Sequence, residues 1–411
     1  MVAEMADRAG LNIPAHVDPA LVVDFDYFGD RRYAEAGNPY KALLALGEEI
    51  GRGIFWSPYN GGHWFITDHE MLFEAARTPE LFASRNNSFP AVPPEEEPFL
   101  PPFNTDAPDH IKYRMPLMRA FAPARMRSLE SGIRSRSIEL IEDIAGQGCC
   151  DFLEAVAEPL PIFIFMRMMG FDVARYREFR EWVSWMTQPD IEQRTQAYSK
   201  TIEMARPLFE ERRRMPKDDL LSHLLDETID GRPLTQRELE GICTLLFGAG
   251  LDTVVNSIAF SMEHLANDPT LQGRLRRQPE LIPEAVEELL RCYGVATASR
   301  SVAKDGTFHG ATLKAGERVS LFLQAGNLDP AAFPAAEKFD LDRENKAHIT
   351  FNAGPHRCVG SHLVRIEMAV LFEEWLKRMP NVRLNPESPP SYRTGVIFAV
   401  TSLPLLWDIP S

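Results

Sequence analysis

Cysteine is scarce in this chain, and what there is does not read as a framework. Cys149, Cys150, Cys243, Cys292 and Cys358 are an odd five, and their spacing suggests no disulfide set, which points to a reducing compartment. Long apolar runs are also missing: none is read as reaching the roughly eighteen residues of a membrane span. Met1–Pro19 mixes Glu4, Asp7 and Arg8 with small residues, unlike a signal peptide. A soluble, cytoplasmic protein without membrane contact is expected. Cations are outnumbered, 44 against 59 anions, and the net charge of −15 argues against a nucleic-acid partner. Repeats and low-complexity segments are absent. What remains is 411 residues with 45% apolar content, ample for a large core, and length alone suggests two or three domains.

The pattern is mainly helical with small β-sheets. After an irregular arm over residues 1–20, Tyr40–Ile50 reads as a helix. Gly53–Trp56 and His63–Thr67 flank Asn60-Gly-Gly62 as a hairpin, and Asp68–Arg77 as a short helix. Residues 78–108 hold Pro90, Pro93, Pro94, Pro98, Pro101 and Pro102, which forbid a helix. Phe82, Phe89, Phe99, Leu100 and Phe103 make the stretch too apolar for a linker, so an ordered functional loop is expected. Asp109–Met126 reads as one helix. From Ile111 to Ser128 it has no acid but carries Lys112, Arg114, Arg119, Arg125 and Arg127, a local reversal of sign that is either a solvated face or a docking patch. Residues 129–230 are mostly helical. Pro283–Gly294 is a compact helix with Glu288-x-x-Arg291, residues 301–323 read as a small sheet, and Ser361–Arg378 as a helix.

Two stretches carry chemistry. Thr235–Asn267 opens on a capping box, Thr235 with Glu238, and closes at Asn267-Asp268-Pro269, which leaves roughly 50 Å of helix. Its middle is nearly all apolar, yet holds Gly248, Gly250, Asp252 and Thr253. Close helix packing and a satisfied core hydroxyl would explain these blandly. Even so, an acid in so apolar a run needs partners, and threonine can bond back to the carbonyl one turn earlier. The other stretch is Phe351-Asn-Ala-Gly-Pro-His-Arg-Cys358-Val-Gly360. Gly354 and Pro355 bar a helix, while His356, Arg357 and the start of the next helix favour thiolate over thiol. A buried free cysteine is the plain alternative. His348, His356, Cys358 and His362 fit no usual zinc set, and a nucleophilic cysteine lacks a His/Asn partnership.

The cysteine loop resembles the haem-binding signature of the cytochrome P450 family, Phe-x-x-Gly-x-His/Arg-x-Cys-x-Gly, at every fixed position. Three further motifs follow the family's order and spacing: Ala249-Gly-Leu-Asp252-Thr253, Glu288-x-x-Arg291 and Phe339-Asp-Leu-Asp-Arg343. The resemblance runs from about residue 20 to the end. Gly250–Asn256 and Leu403–Asp408 look like the bacterial camphor-hydroxylase branch.

This resemblance implies a single cytochrome P450 domain over residues 1–411, a triangular prism with haem b between the long central helix and the cysteine-loop helix. Cys358 would bind the iron as thiolate. His110, Arg114, Arg300 and His356 would hold the propionates. Thr253 would position dioxygen and a water, with Asp252 relaying protons; Arg180 and Gln188 fall where the branch places basic gates for that acid. Glu288, Arg291 and Arg343 would form the structural pair with its later arginine. A [2Fe–2S] ferredoxin with its ferredoxin reductase would dock on a basic cysteine-side face built from Lys112–Arg127, Arg357 and Arg365. A monomer is expected.

For the substrate, the pocket by resemblance comprises Phe89, Leu100, Met186, Leu245, Gly248, Val295, Thr297 and Ile397. Pro98 falls where the branch has its substrate-anchoring tyrosine, and no tyrosine lies between Tyr59 and Tyr113. These changes imply hydroxylation of an unactivated C–H on a terpenoid or norisoprenoid ketone such as an ionone. The alternatives are a camphor hydroxylase with Thr297 as replacement anchor, a peroxide-using haem-thiolate enzyme, or a haem sensor. Asp252 and Thr253 speak against the last two.

Overall fold

The computed structural model describes residue 11 and residues 13–88, 92–186 and 190–409. The helices that matter here are α1 (Pro39–Ile50), α2 (Asp109–Ala120), α3 (Pro123–Ser128), α4 (Pro159–Met169), α5 (Tyr176–Met186), α6 (Gln236–Asn267), α7 (Ile282–Cys292) and α8 (Ser361–Arg378). The largest sheet has strands β1 (Ile54–Ser57), β2 (His63–Ile66), β3 (Phe82–Ala83), β4 (Ala298–Val302) and β5 (Arg318–Leu321), in the order β1-β2-β5-β4-β3.

One compact unit takes the described residues up to Ala107 with Leu290–Cys358 and Thr394–Phe398. The expected hairpin forms here, with Ile54 opposite Ile66 and Ser57 opposite His63. Asn60, Gly61 and Gly62 all take positive φ at its turn. β5 runs parallel to β2, Val319 beside Trp64, and antiparallel to β4. Trp56, Trp64, Phe82, Leu321, Leu323 and Ile349 pack as its core. The loop over residues 78–108 contains no helix among its described residues. It is tied by Asp106 accepting from Ser84 N at 2.7 Å, and by Asn104, which donates to Pro98 O at 2.6 Å and accepts from Leu100 N at 2.9 Å.

The other unit takes Pro108–Leu289, Val359–Arg393 and the described residues from Ala399 on. α6 is its spine. The capping box is present: Thr235 Oγ1 accepts from Glu238 N at 3.3 Å and Glu238 accepts from Thr235 N at 2.7 Å. The helix then runs unbroken for 32 residues. Gly250 leaves room for the Phe165 ring of α4, which would lie 3.5 Å from a Cβ. α8 buries Trp375 against Phe152 and Trp407.

Four expectations need correction. Asp109–Met126 is two helices, because the chain turns at Phe121-Ala122 and restarts on Pro123, a residue suited to a first helical turn and hostile to a helix interior. Residues 301–323 do not make a sheet of their own. β4 and β5 join the large sheet, and only Gly306–Phe308 with Ala311–Leu313 forms a separate hairpin, turned by His309 and Gly310 at positive φ. The Pro283–Gly294 helix is Ile282–Cys292, preceded by a 3₁₀ turn at Pro279–Leu281. Finally, α6 does contain an eighteen-residue window of mean hydropathy 1.5, long and apolar enough to cross a membrane, but 61% of that window is buried within the protein, as in a core helix.

Candidate functional site

In the first unit the cysteine loop is held by backbone. Gly354 sits at φ +65°, and a Cβ there would lie 2.4 Å from Ala76 O, so the loop presses on the helix His69–Ala76 as no larger residue could. Cys358 N donates to Phe351 O at 2.8 Å, and the Cys358 side chain is exposed rather than buried. His356 is spoken for in part, its Nε2 lying 2.9 Å from Ser84 Oγ. Arg300, on β4, is only 3% exposed. Its Nη1 donates to Ser299 O at 2.7 Å, while Nη2 has no hydrogen-bond partner among the described residues. Burial presses its pKa down to about 10 against the attraction of Asp106.

The same unit gathers Val295, Thr297 and Ile397. Thr297 N donates to Val396 O at 2.9 Å, Phe398 N donates to Val295 O at 2.9 Å, and Ala296 bridges Ile397. Thr297 donates its hydroxyl to Gln324 Oε1 at 3.1 Å, and Gln324 Nε2 is fixed on Val295 O at 2.9 Å. Arg291 and Arg343 converge on one stretch of backbone, both donating to Lys338 O. Arg291 adds Asn327 O and Ala336 O; Arg343 adds Pro334 O and Ala335 O. Leu100 is half-buried, and Phe89 lies outside the described residues.

In the second unit His110 and Arg114 stand one turn apart on α2, His110 buried and Arg114 half-buried. Glu288, on α7, is fully buried. On α6 Thr253 donates its hydroxyl to Ala249 O at 3.0 Å. Asp252 is pinned by Asn256, whose Nδ2 donates to its carbonyl at 2.7 Å and its Oδ1 at 3.0 Å; Asn256 Oδ1 in turn accepts from Val400 N at 2.9 Å. Arg393 Nη2 is 3.7 Å from Asp252 Oδ2. Leu245, Gly248, Ala249, Asp252 and Thr253 form a stripe that stays at least partly accessible in a helix otherwise largely buried. Met186 Sδ leans on Gly248, 3.0 Å from where a Cβ would stand.

Arg180, one of the two positions expected to gate Asp252, pairs with acids of the neighbouring segment: Glu158 at 2.7 Å and Glu154 at 3.9 Å. Gln188 lies outside the described residues. Three residues were missed in the sequence. Arg393 and Glu158 are far from Asp252 along the chain and carry no local signal. Asn256, one helical turn beyond Asp252, could have been found by spacing alone.

The family model for cytochrome P450 matches residues 162–406. The probable cytochrome P450 127A1 of Sinorhizobium fredii is 33% identical over 402 residues, 96% of this chain and 97% of that one. Linalool 8-monooxygenase of Pseudomonas putida is 29% identical, over 82% of this chain and 88% of its own. The crystal structure of CYP101J2 superposes with a TM-score of 0.89 at 31% identity, covering 97% of this chain and all of the other. The chain belongs to the cytochrome P450 family, and is a haem-thiolate monooxygenase with haem b as its cofactor.

The residues present fit that group. Arg300 is a buried cation with a free N–H and no carboxylate paired to it, the complement of a propionate. Cys358 is an exposed sulfur in a backbone-fixed loop, and the accessible stripe of α6 combines small apolar residues with one hydroxyl and one acid.

Proposed function

We propose that this monooxygenase hydroxylates an unactivated C–H of a small hydrophobic terpenoid or norisoprenoid ketone, ionone-like rather than camphor, with electrons from a [2Fe–2S] ferredoxin and its reductase. The observation that carries the substrate reading is the missing anchor. Pro98 stands where a tyrosine would be, and its carbonyl is taken by Asn104. Thr297, the one hydroxyl in the expected pocket, already donates its hydrogen bond to Gln324 Oε1. Neither offers a donor to a substrate ketone, so shape and apolar contact would select the ligand. Gly248 carries no side chain, and the flexible Met186 thioether takes up that room, its sulfur 3.0 Å from where a Cβ would stand. That linalool 8-monooxygenase, a relative, acts on a small terpenoid alcohol agrees with this class.

Haem, when bound on Cys358, supplies the activation of dioxygen. Propionates would be held by Arg300, with His110, Arg114 and His356. The remaining chemistry belongs to α6. Because the Thr253 O–H points to Ala249 O, its oxygen is left as an acceptor, able to hold a donor such as a water at the reacting centre. Asp252, held by Asn256 and near Arg393, is the fixed carboxylate that would pass protons to that water, positioned acid–base work worth about 10²–10⁴ in rate.

The chain would act as a cytoplasmic monomer forming one P450 domain, with ferredoxin on the basic α2–α3 stretch. That stretch is partly neutralised: Lys112 pairs with Asp109 and Asp230, Arg119 with Glu227, and Arg125 with Asp218; outside it, Arg365 of α8 pairs with Glu287. Haem spin-state titration with camphor beside a panel of ionones tests the substrate. A strong high-spin shift with ionones alone is expected; an equal or stronger shift with camphor overturns the assignment.

A further inference from the structure

A cleft of about 670 Å³ opens beside Asp252, all of it within the second unit. Its walls are α5, the centre of α6, and the π-helical turn Leu153–Ala157 that leads into α4. Asp252 lies on its α6 wall, and Leu251 and Val255 on that wall are apolar. Three acids besides Asp252 line it: Glu154, Glu158 and Glu181. Two cations, Arg177 and Arg180, and the phenol of Tyr176 face them, and Arg393 approaches Asp252 from the β-strand Ser391–Arg393.

The acids are not equivalent. The Glu154 side chain is 67% exposed and an ordinary surface group, whereas that of Glu158 is 14% exposed, the same as Asp252. Arg180, 41% exposed, reaches from the mouth to clasp Glu158 Oε2 at 2.7 Å, with Glu154 as its second, looser partner at 3.9 Å. The cleft thus holds one exposed acid, Glu154, and two largely covered ones, Glu158 under the half-exposed Arg180 and Asp252 fixed on α6.

We propose that Glu158 is a relay acid that feeds protons from solvent to Asp252 through this cleft, and that Arg180 is its gate, closed on Glu158 and opened by swinging to Glu154. This rests on the reading of Asp252 as the proton donor to the Thr253 site. Each transfer is balanced: Glu158 takes a proton from solvent, passes it through cleft water to the Asp252 carboxylate, and returns to the anion that Arg180 reclaims. Burial supports the role, since it lifts the Glu158 carboxyl to about 7 against the pull of Arg180, with Glu154 and Asp252 adding to the rise. A group titrating there can both accept and release a proton at neutral pH. Glu158 touches neither substrate nor haem in this scheme. It acts through Asp252.

The test pairs two readouts on the holoprotein. The first is the carboxylic-acid infrared band, followed by difference spectra across neutral pH in wild type, Glu158→Gln and Arg180→Gln. Wild type should show a carboxyl titrating near neutrality that E158Q lacks and that R180Q moves to higher pH, because the stabilising cation is gone. The second is the pH profile and H2O/D2O ratio of single-turnover product formation. The wild-type rate should fall as pH rises through neutrality. E158Q should lose that limb, run about tenfold slower and show a larger isotope ratio; R180Q should keep the limb, displaced to higher pH. A merely structural Glu158 would leave the limb in place, and an E158Q profile that overlays wild type overturns the relay. Failure of the underlying reading looks different: Asp252→Asn would then leave turnover intact, while the infrared titration of Glu158 still reports whether the gate exists.

Discussion

Arg300 shows how much one side chain can say. A guanidinium at 3% exposure with an unbonded Nη2 is costly in isolation, because a buried donor without a partner forfeits about 1–3 kcal/mol and a buried charge more. Its cost is recovered only when an anion is supplied. Arg300→Leu should therefore release haem at least about tenfold faster, measured by transfer to an excess of apomyoglobin, with Arg300→Lys in between because lysine offers the charge but not the fork. Thr253 gives the second prediction at this scale. Its hydroxyl hydrogen is committed to Ala249 O, so what the site loses in Thr253→Ala is an acceptor. Reductant consumption should continue while product falls by about tenfold or more and hydrogen peroxide rises to match. A variant that keeps its product yield would remove Thr253 from the mechanism. The same residue marks what was readable beforehand: the back-bond from threonine one turn upstream follows from helix geometry alone. Of the partners of Asp252 and Arg180, Asn256 follows from the same spacing, whereas Arg393 and Glu158 were not readable because they arrive from other elements.

At the scale of the element, α6 was the most legible part of the chain. Its capping box, its stop and its apolar centre are local signals, and local signals suffice to place a helix. The α2–α3 break was missed for an instructive reason: the basic periodicity runs straight through Phe121-Ala122, and only the Pro123 ring betrays the turn. The sheet was least legible, since β2 finds β5 and β3 finds β4 across some two hundred and fifty and two hundred residues, and no local pattern encodes that pairing. Gly248 connects element to function. Alanine there gains up to about 1 kcal/mol of helix propensity, against a contact with the Met186 thioether, a flexible group that can give way. Gly248→Ala should leave the melting temperature unchanged or slightly raised while weakening the spin-state response to bulky ligands more than to small ones. A uniform loss across ligand sizes would mean that the glycine serves packing and not the pocket.

For the whole molecule, net charge and buried charge set the pH and salt response. With 59 acids against 44 cations, and with the α2–α3 cations largely engaged in ion pairs, steering of an acidic ferredoxin should be weaker than the basic stretch alone suggests. Turnover should still fall as salt rises, but shallowly, and a salt-independent rate would count against docking there. Stability carries the sharper prediction. Glu367 of α8 is 2% exposed, its Oε2 makes no hydrogen bond among the described residues, and burial alone lifts its carboxyl to about 8. In the unfolded chain the same carboxyl titrates in the usual glutamate range, near 4.3. Between those two values the folded protein binds the extra proton, so the contribution is fully present in acid and is lost as pH rises from the unfolded value through about 8. Above that the fold must carry an unpaired buried anion. Glu367→Gln keeps the shape and removes the titration. Melting temperatures taken across this range should converge for the two proteins at the acid end and separate by several degrees in favour of the variant at the alkaline end. Parallel curves would mean that Glu367 keeps its ordinary pKa, through a water or a partner that stabilises its anion.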